Sequence, residues 1–429
     1  MRYVIVSKDK PLHEVEVELA RHGAINIRKA NNVNQLFCDV DLATAEKIKS
    51  ISGIKAREVK EIGPAIFPPV EITPMVEYNP LEEYDQLTES FELLRSYYSP
   101  ALSGAGLTVA VLDTGIRKNH ESLRGKVVHE YDASGSGSTA DVWGHGTGVA
   151  FIICGGSPGD KHIGVSPGAK VMNIKVLNDA GTGSEETIID GINHVIDLVK
   201  NARFAGSSPL SDSYPNVINI SIGGEDDGDT DNPIRIACRT AIEDWGIDVI
   251  ASSGNSGPGR STVMVPAAEP LVVAVGGTTT GTVEVWDKSS RGPSEQGETK
   301  PDFMAWATDL YLASHLGDDK FDVKSGTSFS APIISGLTGL IWETIRAQLD
   351  PFTAQLYVWR WSEAKAYAPY FCVKPIQGAI AKDNIYGYGS PAGNVMIEQV
   401  ESGGESTGME TFMNTMPMVM ILAMMSGMI

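Results

Sequence analysis

Cationic side chains are scarce in this 429-residue chain: 34 lysines and arginines stand against 54 aspartates and glutamates, a formal net charge of −20. That balance excludes the basic footprint of a nucleic-acid-binding surface. It favours solubility and disfavours anionic partners without identifying a substrate. Cysteine is equally sparse. Cys38, Cys154, Cys238 and Cys372 are far apart and form no CxxC pair, which excludes a disulfide framework in a chain of this length. Four free, mostly buried thiols are expected instead. The opening Met1-Arg2-Tyr3-Val4-Ile5-Val6-Ser7-Lys8 lacks a long apolar run ending in a small-residue cleavage site, so no secretory leader is visible. A cytoplasmic location is expected, with export or particle association by an unrecognised route as the alternative. The apolar end of the chain, 416–429, is too short to span a hydrocarbon core of about 30 Å comfortably.

What is present is concentrated in three glycine-rich stretches. They are Val111-Leu112-Asp113-Thr114-Gly115, Gly144-His145-Gly146-Thr147-Gly148 and Gly326-Thr327-Ser328-Phe329-Ser330-Ala331-Pro332. They supply an Asp, a His and a Ser in that order, separated by 32 and then 183 residues. A serine hydroxyl is a weak nucleophile near neutral pH. It needs an imidazole to take its proton and a carboxylate to fix that imidazole's tautomer. Asp-Thr-Gly is also the signature of paired aspartyl sites, but no second copy occurs.

The order Asp, His, Ser resembles that of subtilisin and not those of chymotrypsin or the α/β-hydrolases. Residues from about 81 to about 400 look like a subtilase catalytic domain. Further stretches carry the likeness. Asn219-Ile220-Ser221-Ile222-Gly223-Gly224 is similar to the family's substrate-binding strand, and Ala251-Ser252-Ser253-Gly254-Asn255 to its oxyanion-hole strand. Ser289-Ser290-Arg291-Gly292-Pro293 with Lys300-Pro301-Asp302 is another family signature, and Tyr386-Gly387-Tyr388-Gly389 resembles its closing turn. The resemblance implies an autoprocessed serine endopeptidase that works through an acyl-enzyme on polypeptide substrates. Ser328 would be the nucleophile, His145 the general base and then acid, and Asp113 the orienting carboxylate. Asn255 and the Ser328 backbone N–H would receive the oxyanion. Substrate would lie extended between rims at Gly181, Gly183, Ser221, Ile222 and Gly223, with Ser252 and Gly254 beside them. Histidine in place of the acid-acting glutamate of a related family favours near-neutral chemistry.

The hydrophobic patterning sets the fold class. Leu107–Leu112, Val171–Leu177, Val217–Ile220, Val249–Ala251 and Leu271–Val275 are apolar runs of the kind that form buried parallel strands. Glu186–Lys200 carries Ile188, Ile192, Val195, Ile196 and Val199 on one helical face. This predicts an α/β, three-layer, mostly parallel sheet with helices on both faces. Sites in such sheets form beyond the carboxyl ends of the strands, where Asp113 falls. Ser328 is expected at a helix N-terminus, with Pro332 in the first turn.

Residues 1–62 read separately, as strand–helix–strand–strand–helix–strand. A helix over Pro11–His22 carries Leu12, Val15 and Leu19, and a second, capped by Asp41, carries Ala45, Ile48 and Ile51. Strands are expected at Arg2–Ser7, Ala24–Ala30, Gln35–Val40 and Lys55–Ile62. The pattern is a small ferredoxin-like α+β unit. It resembles the subtilase propeptide, which implies a chain's own inhibitor; an unrelated α+β module is the alternative. Residues 63–84, with Pro64, Pro68, Pro69, Pro74 and Pro80, read as an extended linker and processing region. The catalytic domain is expected over 85–401. Residues 402–429 form a polar linker and a tail holding eight of the fourteen methionines. That tail reads as docked in an apolar groove or disordered, with contact to a membrane or partner as the sharper alternative, although it lacks the basic face of interfacial helices. A tail-driven, membrane- or particle-associated protein and a catalytically silent binding protein of the same fold are the rival functions.

No organic cofactor is required. Structural calcium at the usual family site is disfavoured: Ser122 stands where an acidic ligand is usual, and Ser157-Pro158-Gly159-Asp160 replaces the later loop. Glu225-Asp226-Asp227-Gly228-Asp229-Thr230-Asp231 alternates carboxylates that suit Ca²⁺, but reads more simply as a solvated loop before a helix opening at Asn232-Pro233. Aligning Pro266 with the family's proline puts Met264 at the floor of the primary specificity pocket. A flexible thioether there narrows the pocket without closing it.

Overall fold

The computed structural model describes residues 1–64, 102–157, 160, 162–346, 360–365, 372–373 and 381–391. The proline-rich segment from 65 to 84 and the methionine-rich tail lie outside these residues, so the expectations about them stand apart from the architecture below.

The N-terminal unit runs β1 (Arg2–Ser7), α1 (Leu12–Arg21), β2 (Ile25–Ala30), β3 (Gln35–Asp39), α2 (Leu42–Lys49) and β4 (Ile54–Glu58). Its antiparallel sheet has the order β2-β3-β1-β4, the expected ferredoxin-like arrangement. Val15 and Leu19 of α1 and Ala45 and Ile48 of α2 close one small core with Tyr3, Ile5 and Leu36. The Asp41 carboxylate accepts the Thr44 N–H at 2.7 Å, a cap of the kind worth about 1 kcal/mol. The opposite sheet face, with Val4 and Phe37, packs into the core of the larger unit. One expectation fails here. Lys55–Ile62 is not a single strand: β4 ends at Glu58, and Glu61–Pro64 forms β5, which belongs to another sheet.

The larger unit is a seven-stranded sheet of order β14-β13-β12-β10-β6-β8-β7. Its strands are β6 (Thr108–Asp113), β7 (Val127–Asp132), β8 (Lys170–Lys175), β10 (Val217–Ile220), β12 (Asp248–Ser252), β13 (Val273–Thr278) and β14 (Phe303–Trp306). All six neighbouring pairs are parallel. Strand alternation builds the three layers. Val109 and Val111 of β6 face the cluster that holds α3 (Gly146–Cys154) and α6 (Thr327–Arg346). Ala110 and Leu112 face the cluster that holds α4 (Glu185–Phe204) and α5 (Pro233–Glu243). Helix α3 is buried on every side, as its uniformly apolar sequence requires. Cys38, Cys154 and Cys238 are buried free thiols and Cys372 is half-buried; burial pushes the Cys154 thiol up to about 12.

β6 sits between β8 and β10: on one side the chain goes to the edge strand β7 and returns to β8, and on the other it then runs outward through β10, β12, β13 and β14. That reversal opens a crevice at the carboxyl ends of β6, β10 and β12. Pro332 lies in the second turn of α6, one turn later than expected, because the helix starts at Thr327. At the amino ends of β13 and β14, Lys300 donates to Asp302 at 2.8 Å and to the Val272 carbonyl at 2.7 Å. The closing turn joins there, Tyr388 N–H donating to the Asp302 carbonyl at 2.8 Å. Among the described residues no helix is long and apolar enough to cross a membrane.

Candidate active site

Asp113 is the last residue of β6, and His145 the residue at which α3 begins. The imidazole Nδ1 lies 2.7 Å from Asp113 Oδ1 and 2.9 Å from Oδ2. Both side chains are buried. The carboxylate therefore fixes the tautomer with the proton on Nδ1, leaving Nε2 as the basic nitrogen. Nε2 is sealed from solvent and makes no hydrogen bond among the described residues.

The turn that presents His145 is held from below. Asp141 Oδ1 accepts the Gly144 N–H at 2.6 Å and the Thr114 hydroxyl at 2.8 Å. Its Oδ2 accepts the Thr147 N–H at 2.9 Å and the Thr147 hydroxyl at 2.6 Å. Thr114 Oγ1 in turn accepts the Gly146 N–H at 3.0 Å. One buried carboxylate thus ties the Asp113 turn to the His145 turn. Two glycines are obligatory in it. Gly144 has φ +93°, and a Cβ there would fall 2.0 Å from the His315 ring; at Gly146 it would fall 2.2 Å from the Gly115 carbonyl oxygen. The Lys324 ammonium donates to the Gly144 carbonyl. Burial pushes that ammonium below its ordinary value although Asp322, Asp141 and Asp113 lie nearby, and burial likewise lowers His315.

Ser328 is the second residue of α6 and fully buried. Its neighbour Phe329 brings its ring centroid to 5.2 Å from that of His145, so the helix start packs beside the imidazole. Asn255, after β12, is locked to the same helix start. Its Oδ1 accepts both the Thr327 N–H and the Thr327 hydroxyl, each at 2.9 Å. Thr327 Oγ1 also accepts the Gly254 N–H at 3.2 Å. With Oδ1 committed twice, Nδ2 is the donating end of the Asn255 amide.

The two rims are occupied by the chain itself. β5 forms the middle of a three-stranded sheet between β9 (Gly183–Ser184) and β11 (Ile222–Gly223). Glu61 pairs with Ser184 and Ile62 with Gly183; Gly63 pairs with Gly223 and Pro64 with Ile222, all antiparallel. Residues 61–64 therefore lie as an extended polypeptide along Gly183, Ile222 and Gly223. Gly181 sits beside the Trp143 ring, to which a Cβ would approach within 2.6 Å. Ser221 is buried and its hydroxyl accepts from Asn219 Nδ2 at 2.9 Å. Ser252 ends β12 inside the sheet, opposite Val275, and its hydroxyl bonds to neither rim nor β5. The Met264 side chain fills the space between Gly223 and Gly254. A Cβ at Gly223 would meet Met264 Cε at 2.7 Å, and one at Gly254 would meet its Sδ at 3.3 Å.

The acidic loop is not simply solvated. Asp227 takes Lys60 at 2.7 Å and Asp231 takes Lys8 at 2.8 Å, both lysines from the N-terminal unit, and Lys55 reaches Asp229. The expected helix after it does form, with Asn232 as its cap. Among the described residues no group of three or more His, Cys, Asp or Glu side chains is arranged to hold a metal ion. Sequence reasoning gave no role to Asp141 or Thr327. Asp141 shows itself as an Asp three residues before a glycine, an Asx-turn signal; Thr327 stands inside the Ser328 motif with nothing local to mark its partner.

The model of the family described as subtilase matches residues 104–389. Serine protease AprX of Bacillus subtilis is 31% identical over 267 residues, 56% of this chain and 58% of its own length. A subtilisin of a Bacillus species is 32% identical over 254 residues, 56% of this chain and 57% of its own. The chain thus spans little more than half of these relatives. Among solved structures, sphericase superposes with a TM-score of 0.56 at 27% identity, covering 70% of this chain and 96% of that one.

Proposed function

The chain belongs to the subtilase family, and from that premise we propose that it is a serine endopeptidase made as a zymogen, its N-terminal unit acting as its inhibitor. One observation carries the reading: the crevice that holds the Asp113–His145 pair is threaded by a polypeptide strand, residues 61–64. In the proposed reaction the Ser328 hydroxyl attacks the carbonyl carbon of the scissile peptide. His145 Nε2 takes the hydroxyl proton as the C–O bond forms. Asp113 keeps the Nδ1 proton in place and stabilises the imidazolium. The oxyanion is received by Asn255 Nδ2, its amide held by Thr327, and by the Ser328 backbone N–H at the start of α6. His145 then returns the proton to the leaving amine, and water resolves the acyl-enzyme by the same steps in reverse order of roles. No organic cofactor enters this chemistry. In the same reading Gly181, Gly183, Ser221, Ile222 and Gly223 form the substrate rims, and Met264, lodged between Gly223 and Gly254, narrows the primary specificity pocket.

The strand between the rims ends at Pro64, so the first processing bond to consider is Ala65–Ile66, with the rest of the proline-rich segment to 84 as the wider window. The test is expression of the full chain beside its Ser328→Ala and His145→Ala variants, followed by intact mass and peptide turnover. Cleavage within 63–84 in the parent, full-length variants, and a loss of several orders of magnitude in kcat are expected. Robust turnover or normal processing by purified Ser328→Ala protein would refute the mechanism.

A further inference from the structure

β5 does not enter the crevice alone. The residue before it, Lys60, continues the pairing onto the next element: its carbonyl accepts the Glu185 N–H at 3.0 Å, and its N–H donates to Glu185 Oε2 at 2.9 Å. Residues 60–62 thus run in step along 185, 184 and 183. The Lys60 side chain crosses to the other rim, where its Nζ meets Asp227 Oδ2 at 2.7 Å. β9 runs directly into Glu185, and the acidic loop that follows β11 carries Asp227. Glu185 is the first residue of α4, its side chain 2% exposed, and it also takes Arg57. Both carboxylates converge on Lys60 at the incoming end of the same polypeptide strand, Glu185 on its main chain and Asp227 on its ammonium, while the cation on Glu185 is Arg57 of β4.

We propose that Asp227 on one rim, with Glu185 holding the main chain from the other, selects polypeptide substrates carrying lysine or arginine two residues before the residue that pairs with Gly183. This rests on the proteolytic reading above and adds to it a specificity determinant beyond the substrate rims. The geometry makes the selection side-chain specific. Glu185 reads the main chain of that residue, which every amino acid offers, whereas Asp227 reads its side-chain charge. Like charge at that position would face Asp227 across the distance now spanned by a salt bridge, and the penalty adds to the lost attraction. The pair is partly exposed, so the effect is moderate and screened by salt.

The experiment uses the active enzyme isolated from expression of the full chain, and quenched fluorogenic peptides with the sequence of residues 57–69. One peptide keeps lysine at the position of residue 60, one carries glutamate there, and a third begins at the isoleucine of residue 62. The parent enzyme is expected to cleave the lysine peptide about tenfold better in kcat/KM than the glutamate peptide at low salt, with the ratio shrinking as KCl is raised. In Asp227→Lys enzyme the order of the two long peptides is expected to reverse, an outcome that a purely structural role for Asp227 does not produce. An unchanged ratio in Asp227→Lys enzyme would overturn the proposal. The short peptide never reaches Asp227, so its turnover reports proteolysis alone. If the short peptide is cleaved and charge makes no difference, the selection is wrong; if none of the three is cleaved, the proteolytic reading falls and takes the selection with it.

Discussion

Replacing Thr327 by valine isolates one hydroxyl at the centre of the site. Thr327 is fully buried, and valine nearly matches its shape but not its chemistry. The hydroxyl makes two contacts, donating to Asn255 Oδ1 at 2.9 Å and accepting the Gly254 N–H at 3.2 Å. Its removal leaves the Gly254 N–H buried without that acceptor, a cost of about 1–3 kcal/mol in stability. It also removes one of the two contacts by which Thr327 holds Asn255 Oδ1, leaving the Thr327 N–H at 2.9 Å. Complete loss of an oxyanion donor costs roughly 10²–10³ in kcat. A donor that remains but loses one of its Thr327 contacts should cost less, about tenfold, or 1.4 kcal/mol. The loss should fall on kcat and leave KM nearly unchanged, because the contact tightens only as the oxyanion forms. Thr327→Ser keeps both bonds and should restore the rate. The assay is steady-state cleavage of a peptide amide with active-site titration. Stability is measured by urea unfolding in a Ser328→Ala background, where self-digestion cannot intervene. Unchanged kcat in the valine variant, or a serine variant as slow as the valine one, would refute the coupling of Thr327 to Asn255.

Three further outcomes follow from the same geometry. Met264→Gly should shift kcat/KM toward aromatic residues before the scissile bond by roughly 1–3 kcal/mol, read on a peptide library; identical profiles with a lowered melting point would mean that Met264 only packs. Asp141→Asn should keep the fold but loosen the turn carrying His145, lowering kcat by roughly tenfold or more with little change in KM; a variant as fast as the parent would remove Asp141 from the positioning network. His129 and His194, their Nε2 atoms 2.8 Å apart, are both held below the ordinary imidazole value by burial. Groups depressed in the folded state bind protons more readily when unfolded, so the stability they protect is present above about pH 6.5 and is lost as pH falls below it. His129→Gln in a Ser328→Ala background should flatten the melting-temperature profile between about pH 7 and 5, and parallel profiles would rule the pair out.

The local chemistry of this chain is written in short stretches, and those the sequence by itself determined. The continuous apolar run Leu107–Leu112 assigns β6 to a sheet buried on both faces, because successive side chains must face opposite layers. The apolar face of Glu186–Lys200 and the caps at Asp41 and Asn232 are likewise readable, since a cap bonds within three residues of itself. Asp113, His145 and Ser328 were legible as a set because each sits in a glycine-rich turn where a strand ends or a helix begins. The tertiary structure decided what depends on distant partners. Glu61–Pro64 continues an extended pattern in sequence, and nothing local tells whether its N–H and C=O groups pair within the N-terminal sheet or between β9 and β11. The carboxylates of 227–231 look solvated until Lys8, Lys55 and Lys60 arrive from another unit. Thr327 and Asp141 acquire meaning only when their turns are brought against Asn255 and Thr114. Periodicity and capping are set by neighbours along the chain, whereas strand partners, ion pairs and buried hydrogen bonds are set by which surfaces the completed core brings face to face.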